Sequence, residues 1–101
     1  MTWLTYVACF FSGMFLANAV PHFVQGVCGE PFPTPFAKPP GKGLSSAPVN
    51  CVWALFNMVV GYVLFRVEKV AATDTALIVF FAGVVAISIM MSINFQKKHA
   101  K

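Results

Sequence analysis

The sequence predicts an all-α membrane protein: three transmembrane helices, with a long proline-rich loop between the first and the second. Three observations predict it. No residue in 1–29, 43–65 or 75–96 carries a formal side-chain charge. Each of these spans holds an apolar stretch close to the roughly 17–25 residues a helix needs to cross a hydrocarbon core. Composition agrees, with 58% apolar, 15% aromatic and 10% charged residues, whereas a soluble domain carries about 25% charge. Finally, 101 residues accommodate one compact membrane unit and no separate soluble domain. The whole chain, 1–101, therefore reads as a single membrane domain.

Helix one is expected over about residues 3–23. A cleaved signal peptide is the competing reading, but no basic n-region precedes the apolar run. The segment reads as a retained span. Pro21 removes one backbone donor near its end, so a kink is expected there.

The connection, about residues 24–48, contains six of the seven prolines. Pro31-Phe32-Pro33-Thr34-Pro35-Phe36 forbids helix and favours an extended, polyproline-like path. Helices in a bundle need only about 2–8 residues to connect, so so long a segment is either a floppy linker or a functional one. Phe32 and Phe36 make it a candidate cap over the bundle or, with Pro33 and Pro35, a docking strip for a partner. Gly41-Lys42-Gly43 lacks the rest of a phosphate loop.

Helix two is expected over about residues 49–65, with Pro48 suited to a helix start. Helix three follows over about residues 75–95, with Thr73 or Asp74 as its cap and a basic tail at 96–101. Trp3, Tyr6, Trp53 and Tyr62 lie near span ends, where aromatic anchors belong. Small residues repeat along each helix: Cys9, Gly13 and Ala17; Asn57 and Gly61; Ala82 and Ala86 beside Gly83. Such stripes allow close helix packing or self-association.

Polar residues at depth are the candidate site. Asn18 and His22 share a face if helix one continues through Pro21, and Asn57 on helix two is an expected partner for Asn18 or for a backbone group. Two readings of His22 stand: a proton, headgroup or metal contact, or a structural bond to a loop carbonyl or Glu30. The three cysteines form no metal pattern. Cys28 and Cys51 bracket the loop; they pair if it faces an oxidising compartment and stay reduced if it is cytoplasmic.

The net charge of +4 forms no stripe for nucleic acid. Lys38, Lys42, Lys97, Lys98 and Lys101 share one side of the membrane, against Arg66 and Lys69 on the other. This bias places the loop and C-terminus in the cytoplasm and the N-terminus outside.

The runs Asn18-Ala19-Val20-Pro21-His22-Phe23, Phe32-Pro33-Thr34-Pro35-Phe36, Gly43-Leu44-Ser45-Ser46 and Val49-Asn50-Cys51-Val52-Trp53 resemble a group of small bacterial integral membrane proteins. The resemblance covers residues 18–65. It implies a multi-pass protein of the bacterial inner membrane, and one structural unit formed by the end of helix one, the loop and the start of helix two. It implies no activity, cofactor or catalytic residue.

The functional expectation is a non-enzymatic membrane protein. It is either an accessory subunit of a larger complex or a self-associating bundle, in contact with lipids and another membrane protein or its own copies. The alternative is an oligomeric minimal transporter or channel, with Asn18, His22 and Asn57 lining the path. An enzyme ranks last, since Cys28, Glu30 and His22 form its sole conceivable cluster.

Overall fold

The structure, a computed structural model, describes residues 2–40 and 43–96. The element order is helix α1 (Trp3–Val27), strands β1 (Phe32–Pro33) and β2 (Leu44–Ser45), helix α2 (Ala47–Val67), a 3-10 turn (Val70–Ala72) and helix α3 (Asp74–Gln96). Among the described residues, three helices are long and apolar enough to cross a membrane.

Each helix is longer than expected, and the reasons are local. The first helix continues through Pro21 to Val27 instead of ending near residue 23. A single proline removes one backbone donor but does not stop the apolar run. Gly29 does stop it, at φ +76. Gly29 N–H donates to Gly26 O (3.2 Å) and Glu30 N–H to Gln25 O (2.9 Å), the paired bonds of a Schellman motif. The second helix begins two residues earlier than expected, at Ala47, because Ser46 is its cap and accepts from Val49 N–H. Pro48 then falls where the missing donor costs nothing. Thr73 caps the third helix, its Oγ1 accepting from Ala76 N–H at 3.1 Å.

The connection is not one unbroken loop, as the sequence had implied. It is shortened to residues 28–46 and folds back as an antiparallel two-stranded bridge, Phe32 opposite Ser45 and Pro33 opposite Leu44. The extended backbone that proline imposes is close to a strand's, so the same chemistry that forbids helix permits pairing. The Thr34 and Ser45 hydroxyls bond across the bridge. A side chain at Gly43 would strike the backbone of Lys38, so the return needs glycine there.

Helix α1 is central, and both α2 and α3 pack along it, whereas α2 and α3 share no comparable interface. Backbones approach where glycines meet neighbours. A Cβ on Gly13 would hit the Phe80 carbonyl, and one on Gly83 would hit the Phe10 carbonyl. Gly61 receives the Leu16 side chain, and Gly26 lies against the backbone of Cys51. Ala82 and Ala86, by contrast, face outward. The stripe that packs on α3 is Ala76, Gly83 and Ile87.

The burial pattern is compatible with a multi-pass membrane protein. Apart from Val70, the fully buried side chains are mostly small or polar, among them Cys9, Ser12, Ala19, Asn50 and Ala54. Large apolar groups face out: Ile78 is 69% exposed and Phe81 61%. Such a surface suits lipid, where helix association rests on close fit and hydrogen bonds more than on the hydrophobic effect. A small apolar cluster of Cys9, Val70 and Ala76, flanked by Phe65, Val79 and Phe80, closes one end. The other end is polar.

Candidate functional site

That polar end is built on the interface between α1 and α2. These helices run antiparallel, so successive polar residues down α1 meet successive residues up α2. Ser12 Oγ donates to Gly61 O at 2.8 Å. One and a half turns on, Asn18 Nδ2 donates to Asn57 Oδ1 at 3.1 Å, and Asn57 Nδ2 donates to Trp53 O at 2.8 Å. Next, His22 and Asn50 meet at 2.7 Å.

Asn50 is the hub. Its Nδ2 lies 3.0 Å from Phe32 O and 3.1 Å from both Ser45 O and Ser46 O. Carbonyl oxygens accept and cannot donate, so this nitrogen must be the amide NH₂. Asn50 Oδ1 therefore faces His22, and His22 Nδ1–H donates to it. One carboxamide thus joins α1, both strands and the cap of α2. His22 is 2% exposed and Asn50 0%.

Aromatic rings enclose His22 on three sides. Its ring centroid lies 5.2 Å from that of Phe32 and 6.4 Å from those of Trp53 and Phe95, all near perpendicular. Phe32 and Phe95 are themselves 4.8 Å apart. The linker and the end of α3 are therefore held to the bundle around this histidine.

The sequence candidates separate into two groups here. Asn18, His22 and Asn57 come together in one internal network. Of the loop residues, Phe32 and Pro33 turn inward and are buried, while Pro35 and Phe36 face out. Phe36 is 61% exposed and stands edge-on to Trp53, 4.8 Å between centroids. Trp53 is not a simple interfacial anchor, since it touches His22, Phe36 and Phe56. An apolar groove of about 620 Å³ runs beside it, lined by Phe36, Pro48, Val49, Val52 and Phe56. His22 is enclosed, whereas Cys28 and Glu30 are exposed. Cys28 and Cys51 are both free thiols. Among the described residues no group of three His, Cys, Asp or Glu side chains gathers that could hold a metal ion.

Asn50, Ser12 and Thr34 were not singled out as site residues from the sequence. The signal for Asn50 was present, since a polar amide in the first turn of an apolar helix needs a partner. The partner is in the linker, whose path no periodicity reveals. No family model matches this chain, no curated protein matches it, and no solved structure matches its fold.

Proposed function

We propose that this chain is a non-enzymatic integral membrane protein that docks on a larger membrane complex as an accessory subunit. Self-association of the bundle is the same surface used between copies. The observation that carries the reading is Phe36. The linker buries its other phenylalanine, Phe32, at 5% exposure and holds Phe36 out at 61%. Thr34 Oγ1 fixes this turn by accepting from Phe36 N–H at 3.3 Å. The exposed ring continues into the groove of Pro48, Val49, Val52 and Phe56, giving a preformed apolar seat. Transport receives less support, because Asn18 and Asn57 spend their amides on each other and on a backbone carbonyl.

The orientation proposed from the lysine bias puts the linker and the C-terminus in the cytoplasm of a bacterium, with the N-terminus outside. The docking seat then lies at the cytoplasmic interface of the inner membrane. The test is extraction of the tagged chain in a mild detergent, native mass determination and identification of whatever co-purifies. A stoichiometric larger partner, lost in Phe36→Ala and Val52→Ala but kept in His22→Ala, supports docking. A bare homo-oligomer insensitive to Phe36→Ala refutes it and moves attention to Asn18 and Asn57.

A further inference from the structure

One buried donor in the polar end has no use in the fold. Trp53 Nε1 is buried and has no hydrogen-bond partner among the described residues. An indole N–H can only donate, so only an acceptor satisfies it. Buried donors in native structures are nearly always paired. Trp53 lies six residues into α2, about 9 Å along the axis from the helix start. Bulk water is not the default acceptor at that depth in a bilayer.

Trp53 also lines two partly open cavities. One, of about 110 Å³, is bounded by Asn18, His22, Thr34 and Phe95. The other, of about 200 Å³, is bounded by Phe11, Met14, Phe15 and Ile87. Asn18 and Trp53 belong to both walls, so the cavities adjoin. The first offers polar atoms. The second is mostly apolar. They exist because α2 and α3 pack on α1 and leave a cleft between themselves.

No Asp, Glu, Lys or Arg lines either cavity, so an ionic group would enter without a counter-charge. His22 commits Nδ1–H to Asn50, which leaves Nε2 as the acceptor of the neutral ring. The His22 and Trp53 ring centroids are 6.4 Å apart. Both residues line the smaller cavity, where a hydroxyl group can accept from the indole and donate to the imidazole.

We propose that the paired cavities bind a neutral, single-chain amphiphile dissolved in the membrane. Its hydroxyl oxygen accepts from Trp53 Nε1–H, and its hydrocarbon chain lies in the cleft along Phe11, Met14, Phe15 and Ile87. This site is separate from the Phe36 groove and does not rest on the docking reading.

The experiment places the full chain, with ¹⁵N-labelled indoles, in lipid nanodiscs. Trp3→Phe assigns the two indole signals. The probe is 1-dodecanol, compared with dodecyltrimethylammonium, which keeps the chain but is charged, and glycerol, which has hydroxyls and no chain. The expected result is a saturable downfield shift of the Trp53 indole proton with 1-dodecanol, while the Trp3 signal stays in place. Both comparison probes should bind at least about tenfold more weakly. Met14→Phe, which narrows the cleft, should weaken 1-dodecanol by a similar factor. A Trp53 signal that ignores 1-dodecanol overturns the proposal. So does one that exchanges with solvent as fast as Trp3, since the cavity then holds water. An equal response to all three probes overturns it as well.

Discussion

Replacing Asn50 with alanine should detach the linker from the bundle while leaving the three helices formed. The carboxamide serves His22 Nδ1–H, Phe32 O, Ser45 O and Ser46 O. Ser46 O keeps the bond from Asn50 N–H at 3.0 Å, so its loss is partial. His22 Nδ1–H is the group stranded, on a side chain only 2% exposed. A buried polar group left unpaired costs about 1–3 kcal/mol. Water reaching the interface relieves part of this, while the weakened bonds to the linker carbonyls add to it, so the net loss should be about 1–3 kcal/mol. Reversible unfolding in bicelles measures it, and hydrogen exchange locates it: amides of residues 32–46 should lose protection, with circular dichroism unchanged. A double-mutant cycle with His22→Leu should return a coupling of about 1 kcal/mol or more. A loss under about 0.5 kcal/mol, with the linker amides still protected, would refute the hub assignment. Asn50→Asp should rescue at most in part, because an ionised carboxylate repels the three carbonyls and a protonated one has a single hydrogen to give.

Seven further substitutions test the remaining architecture by the same unfolding assay. Gly13→Leu or Gly83→Leu should force α1 from α3 and cost at least about 1–3 kcal/mol, whereas Ala82→Leu and Ala86→Leu, on the outward face, should stay within about 0.5 kcal/mol. Ser12→Ala should cost only about 0.6 kcal/mol, the usual worth of an interhelical bond in lipid, so a loss of several kcal/mol would mean that Ser12 does more than bond Gly61. Lys69 ends α2 at φ 52, a left-handed conformation that glycine adopts freely, so Lys69→Gly should raise stability by about 0.5–1 kcal/mol. Thr73→Ala should remove the cap of α3 and cost about 1 kcal/mol, seen as fraying of amides 74–77 in hydrogen exchange.

Charge-free spans and composition determined that this chain forms three long apolar helices, because a charged side chain at membrane depth is costly and the sequence has none to place there. The positions of Asn18, His22 and Asn57 were legible for the same reason, as polar groups in apolar surroundings. Helix ends were misjudged by up to four residues, since Pro21 drew attention away from Gly29, whose positive φ sets the actual stop. Small-residue spacing found Gly13 and Gly61 but pointed to Ala82 and Ala86 as well, which face outward. Spacing identifies a smooth stripe, and only the packing angle decides which stripe is used. Tertiary structure alone decided that the linker folds back through β1 and β2, that Asn50 gathers it, that Phe32 goes in while Phe36 stays out, and that Trp53 keeps an unpaired donor beside a cleft. Each of these depends on contacts between residues far apart in the chain. An amide or an indole carries the same donors wherever it lies, and only the folded chain determines which acceptor comes within reach.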